Sequence, residues 1–264
     1  IGVGMFGGMM TLPLLLQIVM GATPTEAGFM MLPMVAGMMT ATIISGQITS
    51  RTGKYKPFMV IGPIVLALGY LYLTSFNVDT EYWQASIGMV LIGLGLGQLM
   101  QTLTLAAQNS VPASEVGVAT SSATFFRQMG GTLGVAVFIS ILFNNLADTI
   151  PAAFKRADVQ AGLKAALKDP KVLSDPNNAE FLKGLQSGNM GALAGKLNTD
   201  SSFLNNLDPR LARPFLVGFA DAGVTVFTIA GAVVAVAIVI AIFTKAPALR
   251  TKSAVQEAAA AAAH

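Results

Sequence analysis

Six long runs of predominantly apolar residues constrain this chain more than any other feature, because about 20 such residues suffice for an α-helix to cross a bilayer. They extend from Ile1 to about Met20, Glu26 to about Thr49, Pro57 to about Phe76, Trp83 to Asn109, Val116 to Asn144 and Phe215 to Phe243. Pro24 after Gly21 ends the first run and starts the second; Pro57 opens the third, and Pro112 with Ser114 precedes the fifth. The 264-residue chain is 53% hydrophobic and only 11% charged, too apolar for a water-soluble domain. The predicted fold is all-α and membrane-integral, a bundle of six spanning helices.

Charge placement orients the bundle. Gly46 to Lys56, GQITSRTGKYK, is a short turn between the second and third runs, and its Arg51, Lys54 and Lys56 form a positive cluster that marks a cytoplasmic loop. The short loops on the opposite side, GATPT and NVDTEY, contain no Lys or Arg. Counting turns puts the tail after Phe243 on the cytoplasmic side, in agreement with its Lys245, Arg250 and Lys252. The expected organisation is therefore 1–144 as spans one to five, 145–214 as an extracytoplasmic loop, 215–244 as span six, and 245–264 as a cytoplasmic tail.

The long loop is polar and mixed in charge. Val159, Leu163 and Leu167 follow a helical period between Pro151 and Pro170, and FLKGL and FLNNL suggest further short helices. A solvated cap resting on the bundle is expected, so that removing 158–197 would leave the bundle folded; a gate or a docking surface is the alternative. The tail's AAAAAAH ending reads as a linker and tag remnant, and the start at Ile1, directly on an apolar run, as that of a fragment.

Several chemistries find no residues here. There is no cysteine, and the single histidine is His264 in the tail, so disulfides, thiolate catalysis and a Cys or His metal centre are excluded; neither metal nor cofactor is expected, nor an enzyme. The net charge of +3 lies in loops beside apolar runs and makes no nucleic-acid stripe.

Buried polar residues carry the functional signal. Gln98, Gln101 and Gln108 share one side of the fourth span, where amides in hydrocarbon are costly unless they meet partners or water, so they are candidates to line a cavity. Met5 and Met9 share a face of the first span and suit either a repacking ligand surface or plain core. Arg127 lies about 11 residues, or roughly 16 Å, into the fifth span, deep enough to imply a function as partner to a proton-carrying carboxylate or an anionic group, or else a structural charge. Asp221, a few residues into the sixth span, is the second ion- or proton-linked candidate, or an interfacial residue paired with Arg213 or water. The GxxxG pairs Gly4/Gly8, Gly93/Gly97 and Gly130/Gly134 predict close helix packing.

Three ordered stretches carry a family resemblance: PLLLQIVMGATPTEAGFMMLP from Pro13, GQITSRTGKYK from Gly46, and GVATSSATFFRQMGGTLGVAV from Gly117. Together they resemble the C-terminal half of a major facilitator superfamily transporter, and more narrowly the fourteen-span drug:proton antiporters, over nearly all of the chain outside the long loop and tail. Gly46, Ile48, Arg51 and Gly53 match that superfamily's cytoplasmic conformational motif, with Ser50 where an Asp is usual. Gln17 stands at the family's glutamine near the outer mouth, and Arg127 at the Arg of its RQ-GG stretch.

The resemblance implies a proton-coupled multidrug exporter of the bacterial inner membrane, moving amphipathic compounds, cationic ones foremost, by alternating access. Its partners would be the substrate, protons, membrane lipids and a missing N-terminal half that supplies most proton-carrying carboxylates. The first and fourth spans would line the cavity, and the second and fifth would face the other half, with Gly130, Gly131 and Gly134 at that seam. Export of a lipid, siderophore or amino acid on the same scaffold is an alternative; a non-transporting membrane scaffold is another.

Overall fold

The structure is a computed structural model that describes residues 1–186, 204 and 206–244. The basic residues of the tail, the Ala-rich ending and the first and third residues of FLNNL lie outside the described residues. Among the described residues six helical stretches are long and apolar enough to span a membrane. In chain order the spanning helices are α1 (Gly2–Val19), α2 and α3 (Pro24–Met30 and Leu32–Thr52, together one span), α4 (Lys56–Leu73), α5 (Tyr82–Asn109) and α6 (Val116–Phe154). Among the described residues three short α-helices follow, α7 (Ala157–Ala166), α8 (Pro170–Ser174) and α9 (Ala179–Gln186), before the last span, α10 (Pro209–Phe243).

Local chemistry sets the helix ends. Thr23 and Glu26 form a reciprocal capping box at the start of α2, with the Glu26 N–H donating to Thr23 Oγ1 at 3.3 Å and the Thr23 N–H to Glu26 Oε2 at 2.8 Å. Pro33, which has no N–H to give, accompanies the break between α2 and α3. At the basic turn Gly53 adopts φ +68°, a left-handed conformation that favours glycine, and its N–H caps α3 by donating to the Thr49 carbonyl at 2.8 Å.

The helices interleave as two three-helix units. The first helix of each unit packs on the second of the other, α1 on α6 and α5 on α3, and the third helices α4 and α10 pack on each other. Close approach comes from glycine. A Cβ at Gly93 or Gly97 would run into the carbonyls of Met34 and Met38, so these two residues let α5 lie directly on α3. On α6, a Cβ at Gly134 would come within 2.7 Å of Val3, and one at Gly131 would strike Phe6. Gly131 and Gly134 thus pack against α1 of the same bundle, with Gly130 beside Gly2 and Val3. A glycine pair read from sequence gives a flat helix face; it does not say which helix meets it.

Two boundaries differ from the sequence reading. The fifth span continues past Asn144 to Phe154, and the sixth begins at Pro209. The apolar stripe explains the first, because Leu142, Leu146, Ile150 and Ala153 are buried at helical spacing while Asn144 and Asp148 point outward. Pro151 sits exposed in the last turns of α6. At α10, Pro209 occupies the first turn and the Asp208 carboxylate accepts the Arg210 N–H at 2.9 Å.

The segment between α6 and α10 is more than a polar cap. Val159, Ala166, Val172 and Phe181 are buried, and the Phe181 ring meets Phe215 of α10 edge to face with centroids 5.8 Å apart. Its short helices therefore share the core, and removing 158–197, part of which is not described, would uncover Phe215.

Candidate functional site

The spanning helices build a cleft of about 610 Å³ between α3, α5 and α6. Met38, Met39, Thr42 and Ile43 line it from α3, and Met100, Gln101, Thr104, Leu105 and Gln108 from α5. Arg127 enters from α6. The wall is mostly thioether and hydrocarbon, with a few polar groups, the usual make-up of a small-molecule site.

Most of the polar groups are already committed. The Thr42 hydroxyl lies 2.8 Å from the Met38 carbonyl and 3.1 Å from that of Gly97, bridging α3 to α5, and Thr104 donates to Met100 at 3.0 Å. Gln108 Nε2 donates to Thr120 Oγ1 at 2.9 Å and ties α5 to α6 at one end of the cleft. Two groups have no such partner. Among the described residues neither the Gln101 amide nor the Arg127 guanidinium makes a hydrogen bond or ion pair, and both line the cleft. Gly46 makes room for Gln101, since a Cβ there would lie 3.3 Å from its Nε2.

The structure brings some expected residues together and separates others. Gln101, Gln108 and Arg127 converge, and Gly46 backs them. Gln98 does not join: its Nε2 donates to the Leu94 carbonyl at 3.2 Å, and its Oε1 is buried without a protein partner. Met5 is buried in the core and Met9 packs on it; neither lines this cleft. Gln17 bonds its own helix at Pro13, at 3.2 Å. Arg51 and Gly53 lie at the basic turn, Arg51 exposed. The methionines and threonines of the cleft were not singled out from sequence, although Met100, Thr104 and Gln108 recur every four residues on one face.

Asp221 belongs to the other end of the bundle. It is 45% exposed and lies 3.8 Å from Arg156, not beside Arg213. Arg213 instead makes two bonds to Asp79 of the α4–α5 loop, at 3.0 and 2.9 Å, and approaches Asp158 at 3.8 Å. Nearby, Arg210 bonds Asp169 and Asp208, each at 3.0 Å. These bonds hold both carboxyls below the usual carboxylate range, with the Lys171 N–H adding to the effect at Asp169.

Residues 1–135 match the family model of the Major Facilitator Superfamily. The chain is similar to a tetracycline resistance determinant of Streptomyces rimosus, 33% identical over 241 residues that make 90% of this chain and 66% of that protein. It is also similar to the multidrug transporter protein MdtP of Bacillus subtilis, 36% identical over 70% of this chain and 34% of that protein. A tetracenomycin C resistance and export protein of Streptomyces glaucescens is 29% identical over 90% of this chain and 41% of its own length. The chain thus spans about two thirds of the first of these relatives and less than half of the other two.

Proposed function

Because the chain belongs to the Major Facilitator Superfamily, we propose that it forms the C-terminal six-helix half of a proton-coupled exporter of amphipathic small molecules that works by alternating access. The observation that carries this reading is the cleft itself, an apolar recess of about 610 Å³ with the uncommitted polar groups of Gln101 and Arg127 on its wall. A passive scaffold has no use for a guanidinium kept in a spanning helix without a counter-charge, since such a group is costly in hydrocarbon. Uncovered apolar side chains of α3 and α6 outside the cleft lining, Ile44 and Ile48 on one and Phe126 and Leu133 on the other, offer a second bundle its contact.

In this reading the basic turn at Arg51 faces the cytoplasm by the positive-inside rule. The short helices α7 to α9 then lie outside, and the cleft opens in the cytoplasmic half of the bundle, where a drug would be taken up. Among the described residues the cleft lining contains no Asp or Glu, so we assign the proton-carrying acids to the remainder of the transporter.

The test is uptake of a fluorescent amphiphile into inside-out vesicles bearing the full-length transporter, with and without an imposed pH gradient. Uptake that collapses with a protonophore is expected. Uptake no greater than in empty vesicles, across neutral, cationic and anionic dyes, would remove the export reading.

A further inference from the structure

The charge of the cleft runs against the family expectation of cationic substrates. Among the described residues its one ionisable side chain is Arg127, and no carboxylate lines it. The guanidinium makes no ion pair with any described residue, although the chain's described arginines near the other end of the bundle, Arg156, Arg210 and Arg213, all do. The same cleft is lined by a second donor without a partner among the described residues, the Gln101 amide, given its space by Gly46. The remaining lining is thioether and branched aliphatic, with Met38, Met39 and Met100 able to follow the faces of a flat ring system.

We propose that this cleft binds the acidic, oxygen-bearing edge of a planar amphiphile, a carboxylate, phenolate or enolate, with Arg127 taking the oxyanion and the Gln101 amide donating beside it. The inference rests on the cleft being the substrate site, and it names the class of substrate. A guanidinium presents a planar fork of donors that suits two neighbouring oxygens. In a recess walled by hydrocarbon, that charge is screened less than at a surface, so an anionic ligand gains most from it. A permanently cationic ligand would meet repulsion there and could be held only by acids outside this cleft.

Gly46 links the site to the basic turn. A methyl at this position would press on the far end of the Gln101 side chain, which can yield, so Gly46→Ala preserves the fold and displaces the amide. The effect should appear in ligand affinity, with the thermal unfolding midpoint kept.

The experiment uses the purified full-length transporter in nanodiscs and two dyes built on the same xanthene ring, fluorescein as the anion and rhodamine 6G as the cation, with binding read by fluorescence anisotropy. Fluorescein should bind; Arg127→Gln should weaken it about tenfold or more, the scale of a lost charge-assisted bond, and leave rhodamine 6G within about twofold. Arg127→Lys should recover part of the loss. Gln101→Leu and Gly46→Ala should each weaken fluorescein by about threefold, which keeps the test open if Arg127→Gln does not assemble. Three results would overturn the proposal: no fluorescein binding by the wild type, unchanged fluorescein binding in Arg127→Gln, or equal loss of both dyes in a well-folded variant. Arg127-dependent binding without gradient-driven uptake would leave the site standing and sink the export reading instead.

Discussion

The two ends of the bundle treat arginine in opposite ways. At the capped end Arg156, Arg210 and Arg213 each have carboxylates within 4 Å, drawn from the α4–α5 loop, the short helices and α10. In the cleft Arg127 has none among the described residues. The first arrangement joins segments far apart in sequence and leaves no charge for a ligand. The second leaves a charge unspent where the wall is otherwise apolar. Paired charges at the capped end hold structure together, and the unpaired charge in the cleft is the one we assign to binding.

That contrast can be broken from either end. The largest effect expected on stability is at the cap, where Phe181→Ala strips the buried ring from Phe215. It should cost about 3 kcal/mol, measured as a lowered midpoint in thermal unfolding of the purified protein, with dye affinity unchanged. A wild-type midpoint would mean that the short helices only rest on the bundle. Next comes Gln101→Leu, expected to alter the range of dyes exported, by about threefold for those with a hydrogen-bonding edge, and to leave expression as it was. Unchanged efflux of every dye would take Gln101 out of the cleft.

How much of this was legible in the sequence depends on what fixes each feature. The spans could be read because the bilayer sets helix length and the composition responds to it. Their ends could be read only where a turn residue signs them, as Gly21 with Pro24 and Pro57 do; the Thr23–Glu26 cap came from the structure. Asn144 misled because a polar residue on the outer face of a helix does not end it while Leu146 and Ile150 continue the buried face. In the site, Gln101 and Gln108 were found because seven residues bring a helix back to nearly the same face. Gln98 was not of their company, because three residues leave it about 60° away, and on that side a Cβ on Gly62 of α4 would lie 3.3 Å from its own Cβ. Met5 and Met9 gave no direction, since a thioether serves core and cleft alike. The Asp79–Arg213 pair spans 134 residues and has no local signature.

Acid should loosen the capped end before the cleft. Asp169 and Asp208 have carboxyls held below their ordinary range by Arg210, so their contribution is complete above about pH 4, the unfolded value for Asp. It is lost as the pH falls through the lower folded values. The chain has no cysteine, so spin labels at Lys171→Cys and Trp83→Cys report one distance. Its distribution should be narrow at pH 6 and broaden by about pH 3, and a distribution unchanged at pH 3 would show that apolar packing alone holds the cap.

The smallest effect is the most direct test of the comparison. The Asp79–Arg213 pair has two good hydrogen bonds, yet the Asp79 side chain is 67% exposed and that of Arg213 36%. Water and salt screen such a pair, and its coupling should be about 0.5 kcal/mol and no more than about 1. A double-mutant cycle with Asp79→Asn and Arg213→Gln, read from thermal unfolding, isolates that term from the loss of each side chain. Arg213 also approaches Asp158, so the Arg213 variant should cost more than the Asp79 variant. If the coupling vanishes in low salt too, the pair does not fix the α4–α5 loop to α10, and the joining role of the capped end falls to buried side chains such as Phe181 and Phe215.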